Sequence, residues 1–292
     1  MIKLEFFGKK IIRYLPETWD ELTTDQFLHL VESLYLMQDK KFTVHDVKIR
    51  FLQYALNLKI RPPEKHHPDD YETIIENLTL LSEKVDFIFT TKKIKNKEQT
   101  VINLGFTKNH ILSFRVGQKK YFGPADALHD ITFVEFIKAF DYQKEFTENQ
   151  NPESLHKLAA VLYRPKKWFH FIRRRLPNYD GRIQQKFNDN FIKSRAQRFQ
   201  KLPPATLFGI HLFFASVLTF LTQHPKFRLL FKEEKRGGRG DDLGLTGVLF
   251  HLAGNKFGDI THTAETNLYT VLIELYLAET QRIETESKLK NK

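Results

Sequence analysis

The sequence predicts a mainly helical α+β protein, in which helices are combined with short β-hairpins. Apolar residues recur at helical spacing along most of the chain, and residues that cap helices stand before several of these stretches. Two pairs of β-prone runs flank short turns that contain glycine, as the strands of hairpins do. Phe accounts for 27 of the 292 residues, so we expect a core built largely from aromatic rings.

The first predicted unit is a hairpin followed by two helices. Its strands are the apolar runs Ile2–Phe7 and Ile11–Leu15. Thr23 and Gln26 have the spacing of a capping box, which predicts that a helix starts there. The apolar stripe of this helix has four members: Phe27, Leu30, Val31 and Leu34. A second helix is predicted at 44–58, with its stripe formed by Val47, Phe51, Tyr54 and Leu58.

The stretch that follows changes from helix to strand. Arg61–Pro68 contains three prolines and is predicted to be a linker or exposed loop. Tyr71–Lys84 has the pattern of a third helix. Strands are predicted at Val85–Thr91 and Thr100–Leu104, on either side of a polar run.

The order of hairpin and capped helices is predicted a second time. Leu112–Val116 and Lys120–Phe122 form the hairpin, and Thr132 is the predicted helix cap. A shift of 109 aligns residues 8–28 with 117–137 without a gap, although only four of the 21 positions are identical. We interpret this as an internal duplication, with one module at 1–105 and a second at 106–292 that is extended by a helical region. The alternative is that two unrelated stretches use the same common capping chemistry.

The remaining chain is predicted to be mostly helical. Arg182–Lys201 has the pattern of a basic amphipathic segment, with apolar residues Phe187, Phe191 and Ile192 on one side. Ala205–Leu221 is shorter than the roughly 20 residues of a membrane-spanning helix, so we expect a buried central helix and no membrane partner. The last helices are predicted at Leu243–Leu252 and Leu268–Glu279, followed by a frayed tail from Thr280.

Composition limits the possible functions. Lys and Arg number 46 against 35 Asp and Glu, and the net charge of +11 favours nucleic acid, an anionic membrane or an acidic protein as the partner. The alternative is a lysine-rich surface that keeps the protein soluble. There is no cysteine, which excludes disulfides and thiol nucleophiles. None of the 12 histidines has metal-binding spacing, and His211 is expected to be a core residue. The glycine-rich stretch 233–247 matches no phosphate-binding pattern and is predicted to be a loop. We therefore predict a protein with no catalytic activity and no cofactor.

The densest basic stretch, residues 164–175, is the candidate site for a partner or an anion. Its candidate residues are Arg164, Lys166, Lys167, Trp168, Phe169, Arg173, Arg174 and Arg175. Alternating cations and rings are typical of surfaces that bind single-stranded nucleic acid, and residues 164–201 as a whole would form such a site. The alternative is an amphipathic turn, in which the rings enter the core while the arginines face solvent or acidic neighbours.

Three short motifs in the sequence resemble those of a known class of proteins. They are the helix opening at Pro16–Thr23, the helix start at Thr132–Ile137, and LHKLAAVLYRP at Leu155–Pro165. They resemble motifs of tailed-bacteriophage assembly proteins, the loosely defined class of tail assembly chaperones and baseplate-hub assembly proteins. The hairpins and the glycine-rich loop are not features that the resemblance covers.

The resemblance implies a helical protein without catalysis that binds other tail components. Its partners would be the tape measure protein or proteins of the hub or baseplate. It would act in the host cytoplasm during assembly or stay in the virion tail. Residues 164–175 would then be a basic rim that faces the partner, and nucleic acid would be the alternative ligand.

Overall fold

The chain is mainly helical with short antiparallel strand pairs, as predicted, and it divides into two compact units. The computed structural model describes residues 1–6, 11–58, 68–94, 96–176, 181–228, 230 and 260–290. One unit comprises Met1–Phe106 with Pro203–Gly209, and the other comprises Thr107–Leu202 with Ile210–Lys292. Three predictions lie outside the described residues: the loop at Arg61–Pro68 except for Pro68, which begins a helix, the glycine-rich loop at 233–247, and the helix at 243–252.

The first unit begins with the predicted hairpin. Strands β1 (Ile2–Phe6) and β2 (Ile11–Leu15) are antiparallel, with Ile2 opposite Leu15. The helices that follow are α1 (Thr24–Gln38), α2 (Val44–Ala55) and α3 (Pro68–Ser82). A second hairpin, β3 (Phe89–Ile94) with β4 (Lys97–Ile102), completes the order of elements before Phe106.

Local sequence patterns explain most of the first unit. Thr23 and Gln26 form the predicted capping box, and all four members of the α1 stripe are fully buried. The prediction that Tyr54 belongs to the α2 stripe is wrong, since Tyr54 is exposed and stacks on His29. The predicted strand at Val85–Thr91 is also wrong in its first half. Residues Glu83–Ile88 form a 3-10 helix because Val85 and Ile88 are then both buried, and the polar run lies within the β3–β4 hairpin.

The second unit contains a three-stranded antiparallel sheet. Strand β6 (Lys119–Phe122) pairs with β5 (Ser113–Val116) on one side and with β7 (Arg164–Pro165) on the other. Its helices are α4 (Phe133–Asn149), α5 (Pro152–Leu162), α6 (His170–Arg173), α7 (Ile192–Phe199), part of α8 (Pro204–Gln223), α9 (Ile260–Glu265) and α10 (Leu268–Lys290). The predicted frayed tail is wrong, since α10 continues to Lys290.

The same order of elements occurs in both stretches that the sequence aligns. In each, a hairpin is followed by a short 3-10 turn and two helices; the turns are Trp19–Glu21 and Asp126–Leu128. Phe27 and Phe136, which the alignment pairs, are both fully buried. Thr132 stands at the N-cap of α4, as predicted, but its hydroxyl makes no capping bond. The duplication itself stays a prediction.

Aromatic rings form the centre of each unit, as the composition predicts. In the first unit Trp19 stacks on Phe106 with ring centres 4.9 Å apart, and its indole N–H donates to the carbonyl of Phe87. In the second unit Phe114 stacks on Tyr163 at 4.9 Å.

Helix α8 is long and apolar enough to cross a membrane, but 56% of its most apolar window is buried within the protein, which is typical of a core helix.

Candidate partner-binding surface

A buried ionic cluster lies in the second unit at the base of the predicted basic segment. We call it the Glu135 cluster, after the α4 carboxylate that Arg164 and Arg182 bind, and it includes Gln184, which accepts from both arginines. The Arg164 guanidinium lies 3.2 Å from Glu135 Oε1, and each of these side chains is only 1% exposed. Arg182 donates to both oxygens of the same carboxylate, at 3.0 and 2.7 Å. Two guanidinium groups therefore share one buried counter-charge.

Backbone and amide oxygens accept the other hydrogen bonds of Arg164 and Gln184. Arg164 donates to the carbonyls of Val161 and Gln185, each at 2.9 Å, and to Gln184 Oε1 at 2.6 Å. The Gln184 amide nitrogen donates to the carbonyls of Phe122 and Leu162. Burial lowers the pKa of the Arg164 guanidinium, and the Glu135 carboxylate acts in the opposite direction. A buried charge is tolerated only when it is paired and hydrogen-bonded in this way.

The cluster explains why the chain folds back on itself beside β7. Lys166 and Gln184 form an antiparallel bridge. On its two sides, Lys167 N donates to the carbonyl of Ile183 at 2.9 Å, and Gln185 N donates to the carbonyl of Pro165 at 2.8 Å. Lys167 and Ile183, which bound an excursion of the chain, are thus hydrogen-bonded to each other beside Arg164 and Gln184 of the Glu135 cluster.

The start of this excursion presents apolar side chains to solvent. We call residues 166–176 the aromatic-basic arm. Its exposed apolar members and their exposed fractions are Trp168 (81%), Phe169 (62%), Phe171 (61%), Ile172 (49%) and Leu176 (54%). Phe169 has a positive φ of 54°, a backbone conformation that bulky residues rarely adopt. Contiguous exposed apolar side chains of this kind mark interaction sites on soluble proteins.

The basic residues of the arm have different environments. Lys166, Arg174 and Arg175 are exposed, and Lys167 is half-buried. The backbone of Arg173 ends α6, while its side chain lies outside the described part of the chain. No Asp or Glu occurs between Glu153 and Asp180, so nothing within the segment neutralises these cations.

Arg164 does not belong to this surface, which corrects its place among the candidate residues. Its side chain is completely buried because the carboxylate of Glu135 and the three acceptors around it replace water. The alternative in which the rings of this segment enter the core is wrong for Trp168, Phe169 and Phe171, all of which are exposed. The arm therefore combines exposed rings with exposed cations, while its base is fixed by buried charges.

Among the basic residues of 182–201, too, one arginine is buried instead of facing solvent. The predicted amphipathic segment is helical only over Ile192–Phe199, and Phe191 is 57% exposed instead of lying on the buried side. Arg195 is buried and donates to the carbonyl of Ala160. Burial lowers the pKa of Arg195 to about 10, so its side chain stays charged at neutral pH.

Sequence reasoning missed Glu135, Arg182 and Gln184 as members of one cluster. Glu135 stands in the third position of α4, where a capping role was the natural expectation. One local signal was present: Arg164 directly follows the apolar run AAVLY, where a cation requires a buried partner. The sequence does not say that this partner lies 29 positions earlier.

The first unit contains a cleft between α1 and α2. It is an open cleft of about 650 Å³ whose lining includes His29, Arg50 and Tyr54. Burial and, to a lesser extent, the charge of Arg50 lower the pKa of His29. Across the described ranges of both units, no group of three His, Asp or Glu side chains is placed to hold a metal ion.

Comparison of the chain with protein-family models, with characterised proteins and with solved structures gives no match. Function must therefore be inferred from the geometry of the chain itself.

Proposed function

We propose that the chain is a bacteriophage or prophage tail morphogenesis protein that acts without catalysis. It binds other tail or baseplate proteins, as an assembly chaperone or as a structural component. The observation that carries this proposal is the aromatic-basic arm, in which five apolar side chains of one short segment are exposed to solvent next to the buried Arg164–Glu135 pair.

The arm has the composition of a protein-binding surface. Trp, Phe and Arg are enriched at the centres of protein–protein interfaces, and a few such residues supply most of the binding energy. The bridge between Lys166 and Gln184 holds the start of the arm in place, which reduces the conformational entropy that is lost on binding. Burying the exposed parts of Trp168, Phe169 and Phe171 would supply the favourable apolar contribution.

The resemblance of three sequence motifs to tail assembly proteins provides the biological setting. Its implied partners are the tape measure protein or components of the hub or baseplate. The corresponding location is the host cytoplasm during assembly or the virion tail. The arm would serve as the contact between this chain and such a partner.

Binding of nucleic acid by residues 164–201 is the second candidate. It is supported by exposed rings next to exposed cations in the arm, an arrangement that suits base stacking and phosphate pairing. It is weakened by the burial of Arg164 and Arg195 and by the pairing of Arg182 with Glu135, since these arginines cannot reach phosphates. Fewer available cations predict a shallower dependence of binding on salt.

Deletion of the gene from the phage or prophage that encodes the chain tests the proposal. We expect electron micrographs of the lysate to show heads without complete tails, because an assembly partner is missing. Complementation with the wild-type gene should restore complete tails, and complementation with Phe171→Ser should not.

Phe191→Ser is the matched control, since Phe191 is 57% exposed but lies outside the arm, against 61% for Phe171. This variant should restore tails as the wild type does. Normal tails in the deletion strain would contradict the proposed function. Equal failure of both Phe variants would contradict the role of the arm.

A further inference from the structure

We infer that the arm recognises an acidic protein surface, namely an apolar patch ringed by carboxylates, and that Trp168 becomes buried at the centre of the contact. This inference rests on the proposed function, because it names the chemistry of the partner that the arm would bind.

The positive charge of the arm indicates that the partner surface is negatively charged. Lys166, Arg174 and Arg175 are exposed, and no acidic residue lies between Glu153 and Asp180. Neutral or basic surfaces would leave these cations without partners as water is excluded around the rings. Carboxylates at the rim of the partner surface would pair with them, and arginine is suited to bidentate carboxylate pairing.

The apolar side chains determine what lies inside that rim. Trp168 is the most exposed large apolar residue among those that the structure describes, at 81%. Ile172 and Leu176, which are half-exposed, are aliphatic. Aliphatic side chains gain from burial against apolar protein surface, but they do not stack on nucleic-acid bases as rings do. Their presence favours a protein patch over single-stranded nucleic acid.

The shape of the arm also favours a compact protein patch over a membrane surface. Segments that lie in a membrane interface are usually helices with a long apolar face. Here α6 covers only His170–Arg173, and the chain bends at Phe169, where φ is positive. The rings are therefore grouped within a short bent segment, which suits insertion into a local depression of a partner.

The tryptophan fluorescence of the chain can report on this contact. It has two tryptophans, of which Trp19 is 2% exposed and Trp168 is 81% exposed. Indole fluorescence shifts to shorter wavelength when its surroundings become less polar. Because Trp19 is already in the core, a shift on binding reports on Trp168. A change that is seen with the wild type and is missing from Trp168→Phe can be assigned to that residue.

The experiment titrates the full chain with four probes and follows tryptophan emission and its quenching by acrylamide. The first probe is a short helical peptide with Leu on one face and Glu on the other, and the second has Gln in place of Glu. The third is oligothymidylate. The fourth is a set of phosphatidylcholine vesicles with and without phosphatidylglycerol.

We expect the Leu–Glu peptide to shift the emission of Trp168 and to protect it from acrylamide, and the other probes to have weaker effects. Arg174→Glu combined with Arg175→Glu should lower the affinity for this peptide by roughly tenfold or more, as loss of interface anchors does. The matched control is Lys193→Glu with Arg198→Glu, which makes the same change of charge at two exposed residues of α7 and should leave the affinity unchanged.

Several outcomes would overturn the inference. A stronger response to oligothymidylate would assign the arm to nucleic acid, and a stronger response to phosphatidylglycerol vesicles would assign it to membranes. Equal responses to the Glu and Gln peptides, or no response to any probe, would exclude recognition of carboxylates. If tails form normally after deletion of the gene but the Leu–Glu peptide still binds, the tail function fails while the chemistry of the arm stands.

Discussion

Glu135 Oε1 lies 3.2 Å from the guanidinium of Arg164, and this fully buried pair connects α4 to the base of the aromatic-basic arm. Arg182, at the far end of the same excursion, binds the same carboxylate. One carboxylate thus holds both ends of the segment that presents Trp168 to solvent.

Replacement of Glu135 by Gln should destabilise the protein by about 3–5 kcal/mol, because Arg164 would remain buried without a counter-charge. Unfolding in urea, followed by circular dichroism, measures this loss. Glu148→Gln is the control, since Glu148 pairs with Lys144 on an exposed surface and should change stability by less than about 1 kcal/mol. If both variants lost a similar free energy of unfolding, the Glu135 cluster would contribute no more to stability than a surface ion pair.

The two aligned threonines should differ in their contribution to stability. Thr23 accepts a bond from Gln26 N, so Thr23→Ala should cost about 1 kcal/mol. The hydroxyl of Thr132 is buried and has no hydrogen-bond partner in the described part of the structure. Thr132→Val should therefore be neutral or stabilising, since it removes a buried unpaired polar group without a change of shape. Urea unfolding of both variants measures the difference, and a loss at Thr132 that matches the loss at Thr23 would contradict it.

His211 should make the protein less stable in mild acid. Its side chain is half-buried in the second unit, where Nδ1 lies 2.8 Å from Gln143 Oε1, and desolvation by the surrounding protein lowers its pKa to about 4. The pKa in the unfolded chain is about 6.5. Between these values the unfolded chain binds a proton that the folded chain does not, so stability falls as the pH drops from about 6.5 towards 4. The full effect is about 3 kcal/mol.

Unfolding free energies of the wild type and of His211→Gln, measured from pH 7.5 to pH 4.5, test this expectation. Other groups titrate in both proteins, so only the difference between the two curves is informative. We expect the wild type to lose more stability than the variant on acidification. Parallel curves would mean that His211 has the same pKa in the folded and unfolded states.

Gly123 should not tolerate a side chain. A Cβ at this position would lie 2.6 Å from Cε1 of Tyr163 and 2.8 Å from Nδ2 of Asn109. The Tyr163 ring cannot move away easily, because its hydroxyl donates to the carbonyl of Ile111 at 2.8 Å. Gly123→Ala should therefore destabilise the protein by about 1–3 kcal/mol in thermal or urea unfolding.

Gly117 provides the control in the same hairpin. It has a φ of +59° and no atom within 4 Å of an added Cβ. Asn tolerates this backbone conformation, so Gly117→Asn should have little effect. If Gly123→Ala proved as harmless as this control, the packing around Tyr163 would have to be looser than the distances indicate.

Much of the fold could be predicted because its signals are local. The α1 start follows from Thr23 and Gln26, two residues of one turn, and the hairpin at Gly117 follows from the glycine between two short runs. The errors occur where contacts distant in the chain decide. Val85 and Ile88 were assigned to a strand, but both are buried together when Glu83–Ile88 forms a 3-10 helix.

The candidate site was only partly predictable for the same reason. Its composition was visible, since cations and rings alternate over residues 164–175. Which of these cations and rings face solvent could not be predicted, because composition does not show which arginine has a carboxylate beside it in the fold. Trp168 is exposed and Arg164 is buried, the reverse of what hydrophobicity alone would suggest.

The start of α1, the turn at Gly117 and the basic character of residues 164–175 depend on neighbouring residues, so they could be predicted from the sequence. The burial of Arg164 and the exposure of Trp168 depend on contacts between residues that are distant in the chain. Burying a guanidinium costs several kcal/mol unless a carboxylate and further acceptors replace water. Those groups, Glu135, Gln184 and the carbonyl of Gln185, come together around Arg164 only in the folded chain.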